Sequence, residues 1–160
     1  MISRLIILFS FCIALASCSK STDNKCNYAE STIVAPASET ASVEAYINIH
    51  NPAAIPHPSG FYYEILSAGA GTVTPAVCSN VTVKYVGYLS NGYKFDENTT
   101  GVTFPLGGLI IGWQKGIPLI KAGGSINLFI PPSLGYGNNA VGSIPANSML
   151  IFNVQLLDVQ

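Results

Sequence analysis

Apolar and polar residues alternate over several short segments in the second half of the chain, a two-residue period that is typical of β-strands. The period predicts strands over residues 61–67, 81–89, 103–106, 125–130 and 150–159, and a further strand that starts at 93–95. In the second of these, Val81, Val83 and Tyr85 share one face. The pair Asn91-Gly92 follows that segment and predicts a tight hairpin turn in which both residues adopt positive φ.

Two other segments follow the period of an amphipathic helix. Residues at i, i+3, i+4 and i+7 repeat over 36–50, and Pro52 ends that pattern. A second helix is predicted over 111–120. The segment 131–147 is rich in Gly, Asn and Pro and is predicted to be a long, functional loop. Together these elements predict an α+β fold, in which an antiparallel sheet packs on one short helix and follows a short helical extension.

The N-terminus has the features of a bacterial export signal that is removed on processing. One basic residue precedes an apolar run over 5–15, which is too short to span a bilayer comfortably. The tetrapeptide Leu-Ala-Ser-Cys at 15–18 resembles the lipobox, in which the cysteine is lipidated and becomes the first residue. An ordinary signal peptide with an incidental cysteine is the alternative. We therefore predict a signal peptide over 1–17 and lipidation of Cys18.

The rest of the chain divides into a tether and a domain. Residues 18–59 are expected to form a lipid-anchored polar tether and the helical extension, ahead of a domain at 60–160. Ser19 occupies the position where an aspartate often marks retention in the inner membrane. The expected location is therefore the outer membrane, facing the periplasm, with the membrane as a partner through the lipid anchor.

Charge and side-chain chemistry exclude several classes of function. Only 9% of the residues are charged and the formal net charge is −1, so the chain has no basic field that could bind nucleic acid. His50 and His57 lack Cys, Asp or Glu at the spacing of metal ligands, which argues against a metal site. Cys26 and Cys78 lack the spacing of a redox motif. An even pair in an exported chain favours a disulfide, with two free buried thiols as the alternative.

Aromatic and branched apolar residues recur at predicted turns and strand ends between positions 81 and 152. Asp96 is the one acid within this aromatic cluster, and a solvated turn residue is an equally good interpretation of it. Trp113 fits a core residue whose upper face forms the floor of a pocket. The pattern favours an apolar pocket for a neutral substrate, and the lack of a nucleophile–base pair argues against a hydrolase.

Three short motifs stand out in residues 60–160. They are Val-Lys-Tyr-Val-Gly-Tyr-Leu-Ser-Asn-Gly-Tyr-Lys-Phe-Asp at 83–96, Leu-Ile-Ile-Gly-Trp at 109–113 and Ile-Pro-Pro-Ser-Leu-Gly-Tyr-Gly at 130–137. In these motifs and in the last strand, the segment resembles the FKBP-type peptidyl-prolyl cis-trans isomerases along its whole length. The resemblance implies a twisted antiparallel sheet of four to six strands wrapped over one short helix. It also implies catalysis of X–Pro rotation in exported or unfolded proteins, without a cofactor, and a macrolide as a further ligand.

The resemblance also assigns the pocket residue by residue. Asp96, Tyr136 and Ile110 are the implied catalytic residues, and the Ile110 N–H and the Tyr136 hydroxyl would donate to substrate carbonyls. The implied substrate-binding residues are Tyr85, Phe95, Leu109, Trp113, Ile144 and Phe152. Val102 stands where some members of the family place an aromatic residue. The alternative from another class is an FKBP-fold chaperone or partner-binding lipoprotein with little isomerase activity.

Overall fold

The structure is a computed structural model, and it describes residues 26–160. The predicted signal peptide over 1–17, the lipidation of Cys18 and the first part of the predicted tether lie outside the described residues. The described part contains these helices and strands in chain order: α1 Ala37–His50, β1 Ile55–Pro56, β2 Tyr62–Ser67, β3 Asn80–Leu89, β4 Lys94–Pro105, α2 Ile111–Gly116, β5 Ser125–Ile130 and β6 Leu150–Val159. Short 3-10 helices cover Leu106–Gly108, Ile117–Leu119 and Pro132–Leu134.

The six strands form one antiparallel sheet in the order β1-β2-β5-β6-β3-β4. The prediction of an antiparallel sheet with one short helix packed against it is confirmed. Strand β3 lies between β4 and β6, so Gly87 pairs with Asp96 on one side and with Phe152 on the other. This register brings the β3–β4 hairpin and the last strand together at one end of the sheet, where the pocket forms.

The two α-helices pack on opposite faces of the sheet, because successive residues of a strand point to opposite sides. On β5, Leu128 and Ile130 belong to the main core with α2, whereas Phe129 belongs to a smaller cluster with α1. Val43 and Ile47 of α1 are buried in that smaller cluster. Full burial of such a side chain contributes about 1.5–3 kcal/mol, which explains why a helix too short to be stable alone is formed here.

The turn of the β3–β4 hairpin differs from its prediction. Gly92 has a φ of 84°, but Asn91 is not among the described residues with positive φ, so the prediction of positive φ at both residues is wrong. The Gly92 N–H donates to the Leu89 carbonyl and the Leu89 N–H donates to the Tyr93 carbonyl, each over 2.9 Å. These bonds close a three-residue loop, in which only the last residue needs the left-handed region.

Strand β4 is continuous, whereas the sequence pattern predicts two short strands at 93–95 and 103–106. Val83 pairs with Val102 and Tyr85 pairs with Asn98, so two residue steps on β3 match four steps on β4. The Gly101 N–H within this irregularity donates to Asn98 Oδ1 over 2.7 Å. A bulge breaks the two-residue period, and the pattern therefore stops although the strand continues.

Helix α2 is shorter than the predicted 111–120, because residues 117–119 continue as a 3-10 helix that contains a proline without an N–H. The helix lies close to β5. A Cβ added at Gly112 would lie 2.6 Å from Ile130 Cδ1, and one added at Gly116 would lie 2.6 Å from Leu128 Cδ2. These two glycines let the helix approach the strand, and Trp113 between them is 4% exposed.

A polar network joins the end of α1 to the sheet. Glu64 Oε2 accepts hydrogen bonds from Asn51 Nδ2 over 2.7 Å and from Asn127 Nδ2 over 2.9 Å. Asn153 Nδ2 donates to Asn127 Oδ1 over 2.9 Å, so the network crosses three strands. The bonds from Asn51 and Asn127 hold the pKa of the Glu64 carboxyl below its ordinary value, against the smaller opposing effect of burial.

Replacement of Glu64 by glutamine is expected to lower stability at neutral pH and to have a diminishing effect as the pH falls. A folded-state pKa below the unfolded value means that the contribution is complete above the unfolded pKa and is lost as the pH falls through the folded pKa. Urea denaturation of both proteins between about pH 3 and pH 7 measures this difference. Glu44→Gln, on the exposed face of α1, is the control, and an equal pH dependence in both variants would contradict the assignment.

Candidate functional site

A pocket of about 290 Å³ opens at the end of the sheet where β3, β4 and β6 meet the start of α2. Its lining residues are Tyr85, Phe95, Asp96, Phe104, Leu109, Ile110, Trp113, Tyr136 and Phe152. Eight of them are residues that the sequence analysis assigned to catalysis or substrate binding. Ile144 is not in this set, and it is buried in the main core near the end of the β5–β6 loop. The lining suits one small apolar group with few polar contacts.

Aromatic rings in edge-to-face contact form the floor and walls of the pocket. The Trp113 ring centroid lies 5.1 Å from that of Phe152 and 5.3 Å from that of Tyr85, both at an interplanar angle of 83°. Phe95 lies 5.5 Å from Phe152 at 88°. Each such pair contributes about 0.5–1.5 kcal/mol beyond burial of its area, so the rings hold one another in orientation before any ligand binds.

Gly87 on β3 allows two of these rings to meet above the sheet. A Cβ added at this position would lie 2.6 Å from Phe95 Cζ and 2.9 Å from Phe152 Cε1. Phe95 and Phe152 come from the strands on either side of β3, and a side chain between them would separate the rings. The glycine in the Tyr-Val-Gly-Tyr motif is therefore required by a close approach of two side chains.

Asp96 is held at the pocket wall by two hydrogen bonds. The Tyr85 hydroxyl donates to Oδ2 over 2.6 Å, and the Glu97 backbone N–H donates to Oδ1 over 2.9 Å. Burial of the phenol, followed by the hydrogen bond and the negative charge of Asp96, raises the pKa of Tyr85 to about 12. Tyr85 is therefore a protonated donor at neutral pH, and it fixes the direction in which the Asp96 carboxylate faces.

Two further donors lie at the rim of the pocket. The Ile110 N–H and the Tyr136 hydroxyl have no hydrogen-bond partner among residues 26–160. Burial, and then the charge of Asp96, raise the pKa of Tyr136, so its hydroxyl also stays protonated at neutral pH. The pocket therefore presents an apolar floor, a fixed carboxylate and two unpaired donors to whatever enters it.

Phe104 lines the pocket and is missing from the residues assigned by sequence. It lies on β4 two residues after Val102, which stands where some members of the family place an aromatic residue. Val102, Phe104 and Leu106 all pack on the main core. Their two-residue spacing indicates that the three residues share one face of β4. The irregular pairing at residues 98–102 breaks this period, so the sequence pattern alone does not show that Phe104 faces the pocket.

Outside the pocket, Cys26 and Cys78 are joined by a disulfide, with Cα atoms 5.6 Å apart and a separation of 52 positions in sequence. Within residues 26–160, no three His, Cys, Asp or Glu side chains group in a way that could hold a metal ion. None of the helices in that same range is both long and apolar enough to cross a bilayer.

The fold and the pocket together define the class to which this protein belongs. The chain matches the family model of the FKBP-type peptidyl-prolyl cis-trans isomerases over residues 71–157. That match covers more than half of the chain, and the chain belongs to this family.

Individual relatives agree with the family model. FkpA of Buchnera aphidicola subsp. Schizaphis graminum is 45% identical over 105 residues, which cover 64% of this chain and 42% of that protein. The crystal structure of FkpA from Escherichia coli matches with a TM-score of 0.69 at 38% identity, over 78% of this chain and 58% of that one. A peptidyl-prolyl cis-trans isomerase of Pseudomonas syringae pv. tomato matches with a TM-score of 0.67 at 27% identity, over 79% and 97%. The chain thus spans about two fifths of the length of the curated FkpA relative.

Proposed function

We propose that this protein is a peptidyl-prolyl cis-trans isomerase that accelerates X–Pro rotation in exported or unfolded proteins. The observation that supports it most is the aromatic pocket floored by Trp113, with two unpaired donors above it. The problem for such substrates is kinetic, since the two X–Pro isomers differ little in energy but interconvert in tens to hundreds of seconds. An enzyme for this reaction needs no covalent step, because only the rotation barrier of about 18–20 kcal/mol has to be lowered.

The pocket can lower that barrier by binding the twisted amide better than the planar one. Rotation removes resonance, so the carbonyl oxygen of the twisted amide carries less negative charge and is less strongly hydrated. Phe95, Trp113 and Phe152 would hold the proline ring away from water, which disfavours the more polar planar state. The Ile110 N–H and the Tyr136 hydroxyl would hold the flanking carbonyls while the bond turns.

Asp96 would face the rotating carbonyl with a carboxylate that Tyr85 holds in place. A fixed negative charge repels the carbonyl oxygen of the planar amide more than that of the twisted amide, because the latter carries less charge. The carboxylate would therefore favour the transition state over the bound ground state. Its exposure to solvent weakens this effect by screening, and we expect a modest contribution.

Asp96→Asn is therefore expected to reduce kcat for Ala-Pro, Leu-Pro and Phe-Pro peptides by about tenfold, with a KM that is unchanged or lower, because the charge favours the transition state over the bound ground state. Stability should change little, because the amide keeps the volume of the carboxylate. The full chain in a protease-coupled isomerisation assay measures the first, and urea denaturation measures the second. The variant should also lower the pKa of Tyr85, which loses an anionic acceptor, and ultraviolet titration reports this independently.

Glu97→Gln is the matched control, because Glu97 is the neighbouring carboxylate and pairs with Lys94 outside the pocket. Equal losses in both variants would show that general surface charge, and not the position of Asp96, affects the rate. A wild-type chain that binds unfolded proteins without accelerating isomerisation would favour the chaperone or partner-binding alternative. A macrolide is proposed as a competing ligand, since it would occupy the same apolar pocket.

The proposal extends to an exported lipoprotein that is anchored through Cys18 and faces the periplasm from the outer membrane. The apolar run, the lipobox-like tetrapeptide at 15–18 and the residue after the cysteine support it. Membrane fractionation with mass spectrometry of the N-terminal peptide is the test, and Cys18→Ala should remain unprocessed at this site. An unmodified N-terminus on a fully soluble protein would contradict the anchor and leave the isomerase proposal standing.

A further inference from the structure

Residues 26–35 form an N-terminal strap that precedes α1 and is fixed at both ends. Cys26 is bonded to Cys78, and the Ala35 N–H donates to the Ser59 carbonyl over 2.9 Å. Ala35 is buried in the main core. The strap is therefore part of the folded domain, and its course is set by one covalent bond and one buried contact.

Tyr28 of the strap lies against the two glycines of the 3-10 helix Leu106–Gly108. A Cβ added at Gly107 would overlap the Tyr28 side chain, 2.5 Å from its Cβ and 2.8 Å from its Cδ1. A Cβ added at Gly108 would lie 3.3 Å from the Tyr28 hydroxyl oxygen. The tyrosine side chain thus extends across both glycines, and its position against Gly107 requires a residue without a side chain there. The residues that follow these glycines are Leu109 and Ile110, which line the pocket.

Gln114 of α2 also holds this turn. Its Nε2 donates to the Leu109 carbonyl over 2.7 Å and to the Gly107 carbonyl over 3.2 Å. The backbone of the turn therefore contacts both a carboxamide from α2 and a tyrosine side chain from the strap. Farther along the strap, Glu30 and Ser31 border a cavity of about 240 Å³ that Gln114 and Lys115 of α2 also line.

We propose that Tyr28 is a positioning residue that fixes the Leu109–Ile110 turn, and with it the Ile110 N–H, and that the Cys26–Cys78 disulfide acts on the pocket through Tyr28. The inference rests on the proposed isomerase function, in which the Ile110 N–H donates to a substrate carbonyl. Its structural part does not depend on activity, because the Leu109 N–H donates to the Leu106 carbonyl over 3.1 Å and reports the order of the turn.

Tyr28→Ala in the full chain is expected to reduce kcat/KM for a Leu-Pro peptide by about threefold to tenfold, since a substrate hydrogen bond is partly lost. It should also speed hydrogen exchange at the Leu109 amide, which a residue that merely covers the surface would not do. Tyr28→Phe keeps the ring on Gly107 and should restore both readouts. Tyr93→Ala is the matched control, because Tyr93 is a similarly exposed tyrosine on the β3–β4 hairpin.

Gly107→Ala tests the same contact by changing the glycine in place of the tyrosine. It replaces Tyr28→Ala as the test if that variant does not fold. Gly107 has no positive φ, so alanine strains no backbone there and acts by displacing the tyrosine ring. Wild-type exchange at Leu109 together with wild-type kcat/KM in either variant overturns the proposal. A wild-type chain without isomerase activity refutes the proposed function instead, and the exchange result then decides the structural claim alone.

The link to the disulfide is tested by a double-mutant cycle. Cys26→Ser with Cys78→Ser should reduce kcat/KM in the wild-type background, at a temperature where circular dichroism shows both proteins folded. The same pair of changes should add little in the Tyr28→Ala background, because the contact through which the disulfide acts is already gone. Equal losses in the two backgrounds would overturn this part, since the disulfide would then act by another route.

Discussion

Trp113→Ala is expected to lower the free energy of unfolding by about 3–5 kcal/mol, the range for truncation of a buried aromatic residue. Trp113 is 4% exposed, and its ring supports both Tyr85 and Phe152. The change removes the floor of the pocket together with part of the core, so the proposed isomerase activity should be lost even where the variant is folded. Urea denaturation followed by far-ultraviolet circular dichroism measures the stability.

Trp113→Phe separates the loss of the ring from the loss of the indole N–H. The Trp113 Nε1 is buried without a hydrogen-bond partner in residues 26–160, so phenylalanine forfeits packing and no hydrogen bond. We expect phenylalanine to lower the free energy of unfolding much less than alanine does. It should also keep a floor for the proline ring of the proposed substrate. An alanine variant within about 1 kcal/mol of the wild type would contradict the central place of Trp113 in this core.

Two regular strands and most of the pocket residues could be predicted from the sequence. The two-residue period of apolar residues predicts β5 and β6 with the bounds that they have in the structure, because these strands are regular and bury one face. The short motifs around the pocket identify eight of its nine lining residues through a family resemblance. Phe104 was missed because a bulge in β4 separates it from the hairpin, and bulges leave little trace in a hydrophobic pattern.

Contacts between distant parts of the chain could not be predicted in the same way. The contact of Tyr28 with Gly107 joins residues 79 positions apart, and neither residue carries a periodic signal. The hydrogen bonds of Glu64 with Asn51 and Asn127 likewise depend on how α1 crosses the sheet. Such contacts follow from the packing of complete elements, which local propensity and spacing do not specify.

Removal of the disulfide by Cys26→Ser with Cys78→Ser is expected to lower the free energy of unfolding by about 4 kcal/mol, the chain-entropy estimate for a loop of this length. The two cysteines are 52 residues apart and both are exposed, so little packing is lost in the folded protein. Most of the effect should therefore come from the unfolded chain, which is more expanded without the cross-link.

An effect that arises in the unfolded chain should also change how steeply stability depends on urea concentration. A more expanded unfolded chain exposes more surface, so the dependence of stability on urea should be steeper in the double variant than in the wild type. Reduction of the wild type with dithiothreitol should reproduce both changes, and the double variant should not respond to the reductant. Non-reducing peptide mapping that finds both thiols free, in protein recovered from an oxidising compartment, would contradict the bond. A loss of stability with an unchanged urea dependence would instead place the effect in the folded state, where release of the strap and of Tyr28 is the change that the structure offers.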